Sequence, residues 1–245
     1  MPLSPLAFGS MRLHERDLGD EAWLALFDEA RELGVTTLHS SSEYESHPRF
    51  VALLRRWRPS GVQHIVKLAE PHFGDVAFDR ARLVAKVDAY LAELGAERLD
   101  VVQWMWRGDL KDEPGRLAGL DAQAGALAEA FAALRAAGKI GAVAPFPYTP
   151  GFADAAIEAG CFDGLAVYLN PLEREMLPQI ERCAARGLGV VAIRPLCAGK
   201  ALATASPATC VRGVLSERGV ASAVVTYSSA AHLRELVEGA RQASL

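Results

Sequence analysis

The sequence lacks the features that define several large protein classes. Its four cysteines, Cys161, Cys183, Cys197 and Cys210, include no CxxC pair. Their spacing therefore indicates neither a zinc site nor a disulfide framework, and we expect reduced thiols, no bound metal and a cytoplasmic location. No run of ~20 apolar residues indicates a membrane span. A net charge of −4 gives no electrostatic reason to expect nucleic acid or an anionic membrane as a partner.

The composition is typical of a compact globular protein. Of the 245 residues, 51% are hydrophobic and 23% are charged, which allows a large buried core. No linker rich in proline, glycine or serine divides the chain, so we predict one domain over residues 1–245. The oligomeric state is left open by the sequence.

Short apolar runs rich in β-branched residues alternate with longer amphipathic stretches. Strands are predicted at Leu6–Phe8, Val35–Leu38, His64–Lys67, Leu99–Trp104, Ile140–Ala144, Gly164–Tyr168, Gly189–Ile193 and Ser222–Val225. Helices are predicted at Glu21–Leu33, Pro48–Trp57, Asp79–Leu94, Ala124–Ala137, Phe152–Ala159, Met176–Ala185, Ala208–Glu217 and Ala230–Gly239. A strand-helix unit that recurs every ~30 residues, with strands too apolar to face water, predicts parallel strands closed into a single (β/α)8 TIM barrel.

The connections support this prediction. Glycines follow six of the predicted helices, where left-handed caps are expected, at Gly34, Gly95, Gly138, Gly160, Gly187 and Gly219. The alternative is an open doubly wound sheet, but no GxGxxG follows the first strand. Residues Arg107–Gln123 form the longest predicted connection, which in a barrel would lie at the rim where active sites are built.

Three segments carry a resemblance to a known family. The chain reads His-Ser-Ser-Ser-Glu-Tyr from His39 to Tyr44, ends its third predicted strand at Lys67, and has Met105 between two tryptophans after the fourth. This pattern resembles the aldo-keto reductase family, which usually has Asp-Thr-Ala-x-x-Tyr, then Lys, then a His often followed by Trp. Tyr44 and Lys67 match that pattern, whereas His39 replaces the Asp and Met105 replaces the His. Weaker matches in the family's order extend over nearly the whole chain.

The resemblance implies a particular acid-base centre. In the family the Tyr donates a proton to a carbonyl oxygen, the Lys lowers the pKa of that Tyr, the Asp pairs with the Lys, and the His orients the carbonyl. Tyr44 and Lys67 retain the first two roles, and His39 is a third catalytic candidate. With His39 in place of Asp, Lys67 loses its anionic partner, for which Glu43 and Glu70 are the candidates. Met105 neither donates nor accepts a proton usefully.

The cofactor contacts of the family are replaced more widely. The residues at the positions that would bind the nicotinamide are Phe146, Pro147, Ala166 and Ile193. None offers the Ser, Asn and Gln side chains or the stacking aromatic ring that the resemblance implies. We therefore expect no bound cofactor, with NADP(H) as the alternative.

The predicted substrate site lies beside these residues. Arg107 and Arg194 each follow a strand directly, so both would lean over one barrel mouth, with Trp106 as an apolar wall. Together with Met105 and Glu70 they predict a small organic substrate with an acidic or polyoxygenated end and a planar or apolar body.

Three functions follow as alternatives. The leading hypothesis is an enzyme that has lost NADP(H) chemistry and performs cofactor-independent elimination, isomerisation or cyclisation on a small polar molecule. The second is an NADP(H)-dependent carbonyl oxidoreductase with an atypical cofactor site. The third is a non-catalytic descendant that binds a small molecule.

Overall fold

A computed structural model describes residues 3–15, 18–75 and 77–243. In these ranges eight strands alternate with eight α-helices. The strands are β1 Leu6–Gly9, β2 Thr37–Ser40, β3 Gln63–Ala69, β4 Leu99–Met105, β5 Ile140–Val143, β6 Gly164–Tyr168, β7 Gly189–Ile193 and β8 Val220–Val225. The helices are α1 Asp20–Glu32, α2 His47–Trp57, α3 Arg80–Leu94, α4 Glu113–Ala136, α5 Pro150–Ala159, α6 Leu177–Ala185, α7 Pro207–Leu215 and α8 Ala230–Ala243. Two 3-10 helices, Ser10–Arg12 and Cys197–Ala203, follow β1 and β7.

The strands form one parallel sheet in the order β5-β4-β3-β2-β1-β8-β7-β6. Strands β5 and β6 lie at its two ends and are joined by backbone hydrogen bonds rather than by a regular ladder. The Asp163 amide donates to the carbonyl of Val143 at 2.9 Å, and the Ala166 amide donates to that of Pro145 at 2.9 Å. These bonds nearly close the barrel, which confirms the predicted (β/α)8 fold.

Strand side chains alternate between the barrel interior and the surrounding helices. Ala7, Ile65 and Val101 lie in the inner cluster, while Trp104 and Phe131 lie in the outer one. Since both faces of each strand are covered, the strands are apolar without a regular polar alternation. All six predicted glycine caps are confirmed by positive φ angles between 63° and 93°. No helix in the described ranges is long and apolar enough to span a membrane.

The main difference from the predicted elements is in the connection after β4. Most of Arg107–Gln123 is helical, because α4 begins at Glu113 rather than Ala124. Asp112 caps this helix by accepting a hydrogen bond from the Gly115 amide at 2.9 Å, and Pro114 occupies its first turn. The glycines of this segment weaken its helical pattern, and one of them has a packing role. A Cβ on Gly119 would lie 2.7 Å from Cζ2 of Trp106, so the helix approaches that indole as only glycine allows.

Candidate functional site

A pocket of about 500 Å³ opens among the carboxyl ends of the strands. Five of the residues selected from the sequence line it: His39, Tyr44, Lys67, Met105 and Arg194. They come from β2, β3, β4 and the turns after β2 and β7, which meet only when the barrel closes. Three other selected residues, Glu70, Trp106 and Arg107, do not line this pocket.

Tyr44 lies in the turn after β2, with its ring against Lys67. The Lys67 Nζ atom is 5.2 Å from the ring centroid. Burial raises the pKa of the Tyr44 hydroxyl well above its ordinary value, and the nearby Tyr90, Glu43 and Tyr168 add to the increase. Tyr44 is therefore a neutral phenol at physiological pH, able to donate a proton.

Lys67 obtains its anionic partner from the turn that also carries Tyr44. Its Nζ atom lies 3.5 Å from Oε2 of Glu43. Burial lowers the pKa of Lys67, as does the charge of Arg107, while Glu43 opposes both. Glu43 thus occupies the role for which the sequence left two candidates, and it does so from the residue next to Tyr44.

Glu43 is itself held by Arg107. Arg107 donates from Nη1 to Oε1 and from Nη2 to Oε2, both at 2.6 Å, in a bidentate ion pair. Burial would raise the pKa of Glu43, but hydrogen bonds and charge from Arg107, together with the charge of Lys67, hold it below its ordinary value. His72 Nε2 lies 3.1 Å from Oε1 of the same carboxylate. Arg107 is therefore paired with Glu43 and does not line the pocket, where it was predicted to face the substrate.

Glu70 lies apart from this cluster. Its fully buried carboxylate pairs with Arg82 at 2.9 Å and Lys86 at 2.9 Å, both on α3. Glu70 therefore links β3 to its helix, and its predicted contact with substrate is not found. Trp106 is likewise buried, between Trp104 and α4, because outward-facing residues alternate with inward-facing ones along β4.

The floor of the pocket carries a polar pair that the sequence did not single out. His39 Nε2 lies 2.8 Å from Oε1 of Gln103. Burial lowers the pKa of His39 to about 4, the charge of Lys67 adds to the decrease, and the bond to Gln103 opposes it. His39 is thus neutral at physiological pH. Gln103 precedes Met105 by two residues, so the period-2 alternation of β4 was the available signal.

One wall of the pocket is aromatic. Phe146 packs edge-on against Tyr148 and Tyr168, with ring centroids 4.9 Å apart in both cases. Arg194 lies over the Tyr168 ring with its guanidinium carbon 4.7 Å from the centroid, and its Nη1 is 3.4 Å from Oε1 of Glu173. The two tyrosines were not predicted as site residues, because no motif marks them.

The pocket continues as a groove over the turn after β7 toward the start of α8. Arg12, Thr226 and His232 line it, together with residues 194–196, 198 and 199. Positive φ angles occur at Arg194, Cys197, Ala198 and Gly199. In the described ranges no cluster of His, Cys, Asp and Glu is placed to hold a metal ion.

Comparison with known proteins gives matches among solved structures only. The sequence matches no family model and no curated protein. A protein from Pseudomonas aeruginosa, provisionally assigned as an aldo-keto reductase, is 27% identical over 99% of this chain and 92% of its own, with a TM-score of 0.76. The holo form of an aldo-keto reductase from Bacillus halodurans is 18% identical over 99% of this chain and 90% of its own, with a TM-score of 0.73.

A further structure bears on the cofactor. An aldo-keto reductase from Klebsiella pneumoniae in complex with NADPH is 17% identical over 98% of this chain and 86% of its own, with a TM-score of 0.73. Proteins with this fold are therefore solved in holo and NADPH-bound forms, which contradicts the prediction that no cofactor is involved. That prediction was wrong because it treated the side chains at four positions as the whole cofactor site.

The similar structures, the strand order and the retained Tyr44 and Lys67 agree with one another. Together they support the assignment of this chain to the aldo-keto reductase superfamily.

Proposed function

We propose that this protein is an NADP(H)-dependent carbonyl oxidoreductase with a rearranged acid-base centre. The observation that carries the proposal is the placement of Tyr44 and Lys67 together in a pocket that continues as a groove to α8. A pocket that joins a proton donor to an extended groove suits a small substrate and a dinucleotide side by side.

The groove fits the phosphate-bearing part of a dinucleotide. Arg12 and His232 line it and offer cationic or hydrogen-bonding groups to phosphate. The turn after β7 closes on itself, since the amides of Cys197 and Gly199 donate to the carbonyls of Arg194 and Leu196 at 2.8 Å, so side chains are proposed to carry the phosphate contacts. At the nicotinamide end, Tyr168 and Ile193 offer an aromatic ring and an apolar surface in place of amide-binding side chains. NADP(H) bound here would supply or accept a hydride at the substrate carbon.

Tyr44 is the proton donor in this proposal. As a carbonyl is reduced, its oxygen gains negative charge and takes the proton from the Tyr44 hydroxyl. An alkoxide is a stronger base than a phenolate, so the transfer remains favourable although burial has raised the pKa of Tyr44. The reverse reaction needs the phenolate, which that raised pKa disfavours.

Lys67 and Gln103 are proposed to act on the same oxygen. The ammonium of Lys67, held by Glu43, stabilises developing negative charge beside Tyr44. Met105 has no donor to offer a carbonyl oxygen, but Gln103 lies one inward-facing position deeper on β4 and lines the pocket. Because its Oε1 faces His39, its amide nitrogen is the group left to donate to a carbonyl.

The test is to titrate the full-length protein with NADPH, follow the nucleotide's fluorescence, and then measure NADPH oxidation with a series of aldehydes and ketones. We expect saturable binding and carbonyl-dependent oxidation. Arg12→Gln should weaken NADPH binding about tenfold through loss of a charged contact. Arg174→Gln is the matched control, since Arg174 pairs with Glu217 away from the groove and should leave binding unchanged.

Two results would overturn the proposal. Absence of NADPH binding with turnover of a carbonyl compound by elimination, isomerisation or cyclisation would assign the site to non-redox chemistry. Ligand binding with no turnover of any kind would favour a non-catalytic role.

A further inference from the structure

We propose that the pocket selects uncharged carbonyl compounds with a flat, apolar body, and that it discriminates against carboxylate-bearing and polyhydroxylated ones. The proposal rests on the proposed function only for the reacting carbonyl, because the selectivity concerns binding and is measurable without cofactor.

The first observation is the apolar mouth. In the described part of the chain, five large apolar side chains are exposed. Three of them line the pocket, namely Met11 at 47%, Tyr168 at 37% and Leu202 at 41% exposure. Exposed apolar groups that gather around one concave site mark a surface that is covered when a ligand binds.

The second observation is the wall beneath that mouth. Phe146 contacts both Tyr148 and Tyr168 through T-shaped ring pairs, so the three rings support one another. Such a wall buries the face of a planar ring favourably, whereas hydroxyl groups packed against it would lose hydrogen bonds to water without replacement. A planar apolar body is thus preferred over a sugar-like chain.

The third observation concerns the cations that were predicted to bind an acidic group. Both outer nitrogens of Arg107 are occupied by Glu43 at 2.6 Å. Arg194 is engaged by the Tyr168 ring and by Glu173, at the side of the pocket that leads to the groove. Lys67 is paired with the same Glu43. A substrate carboxylate would have to displace one of these partners, so a neutral substrate binds at lower cost.

The polar groups that remain for a substrate lie together at the floor. Tyr44, Lys67 and Gln103 line the same pocket, with Lys67 and Gln103 directly opposite each other on neighbouring strands. They suit a single carbonyl oxygen rather than a chain of polar groups. The expected ligand therefore has one carbonyl directed inward and an apolar ring system directed toward the mouth.

Three ketones provide the test, of which the acid differs from the naphthyl ketone in charge and dihydroxyacetone differs from it in size and polarity. Isothermal titration calorimetry of the full chain without cofactor would compare 2-acetylnaphthalene, 6-acetyl-2-naphthoic acid and dihydroxyacetone. We expect the neutral naphthyl ketone to bind at least about tenfold more tightly than either of the others. Equal or tighter binding of the acid or of dihydroxyacetone would overturn the proposal.

Two variants locate the binding surface. Tyr168→Ala should weaken binding of 2-acetylnaphthalene about tenfold, because it removes a ring of the wall. Leu172→Ala is the matched control, since Leu172 is 58% exposed and does not line the pocket, and its affinity should equal that of the original protein. Equal affinities in all three proteins would also overturn the proposal.

Failure of this inference is distinguishable from failure of the proposed function. If NADPH is oxidised but the acidic ketone is the better ligand, the oxidoreductase proposal stands and the selectivity proposal falls. If 2-acetylnaphthalene binds selectively but NADPH does not bind, the reverse holds.

Discussion

The two halves of the pocket differ in chemistry and in how they are held. The half built by β2, β3 and β4 is polar, and its Lys67 pairs with Glu43, which pairs in turn with Arg107. The half built after β5, β6 and β7 is largely aromatic, and its rings hold one another by edge contacts. Under the proposed function this difference becomes a division of roles, in which the polar half transfers the proton and the aromatic half selects the substrate.

Removing the proton donor gives the strongest test of this division. Tyr44→Phe should lower turnover at least about 100-fold, because the only change at the site is the loss of one hydroxyl donor. The melting temperature should stay nearly constant, since no hydrogen bond of that hydroxyl to another described residue would be lost. Steady-state kinetics and a thermal melt measure both.

Tyr227→Phe is the matched control for that change. Tyr227 is a buried tyrosine in the outer core, packed against Phe8, and it does not line the pocket. Loss of its hydroxyl should leave kcat unchanged. If the two variants retain equal activity, the acid-base role lies elsewhere, and His39 is the next candidate.

The buried His39 makes the polar half sensitive to pH. Its pKa is about 4 in the folded protein, against an ordinary value of 6.5. Between pH 4 and 6.5, His39 is therefore protonated in the unfolded chain but not in the folded one. The free energy of unfolding is thus highest above pH 6.5 and falls as the pH drops toward 4. The loss from this one group is roughly 3 kcal/mol over that window.

Denaturant unfolding at several pH values measures this loss. His39→Gln should flatten the dependence of the unfolding free energy on pH between 4 and 6.5. His14→Gln is the control, because His14 is much more exposed, and it should retain the slope of the original protein. An unchanged slope in His39→Gln would mean that other groups cause the loss of stability at acid pH.

Glu43 links the proton donor to its cation, and its removal should have a smaller effect on rate. Glu43→Gln deletes the charge that opposes the lowering of the Lys67 pKa by burial and by Arg107. Lys67 should then lose its proton at lower pH, so the alkaline limb of the rate profile moves to lower pH and turnover at neutral pH falls about tenfold.

The control for Glu43 removes a neighbouring charge. Glu93→Gln deletes a carboxylate that pairs with His47 at 3.0 Å outside the main pocket. Its rate profile should match that of the original protein. If the rate profile shifts equally in both variants, Glu43 acts only through its negative charge, as any nearby carboxylate would.

The polar half was largely predictable from sequence, and the aromatic half was not. Tyr44 and Lys67 belong to a spaced pattern, so their meeting at one barrel mouth followed from the fold. Glu43 was one of two candidates because only the turn geometry decides which carboxylate reaches Lys67. Tyr148 and Tyr168 form a wall only through their contacts with Phe146, and a contact between strands β5 and β6 has no signature in either segment alone.

Arg107 and Trp106 were both predicted to face the substrate, and each is turned away from the pocket for a different reason. Arg107 was assigned to the substrate because it follows a strand directly. Its guanidinium instead forms a bidentate ion pair with Glu43, which lies in the turn after β2. Trp106 was assigned to the mouth because it lies directly after β4, but it continues the outward-facing positions of that strand and packs beside Trp104. Helix α4 begins eleven residues before Ala124, at Glu113, and its Gly119 covers the indole.

A pair of glycines on α4 tests this last point and gives the smallest expected effect. Gly119→Ala places a methyl group 2.7 Å from Trp106, so it should destabilise the fold by about 1–3 kcal/mol despite the better helix propensity of alanine. Gly125→Ala, on the same helix with no atom within 4 Å of the added methyl, should stabilise it by about 0.5–1 kcal/mol. Urea unfolding compares the two directly. Stabilisation by both substitutions would show that α4 does not press on Trp106, and would reopen a place for that indole at the mouth of the pocket.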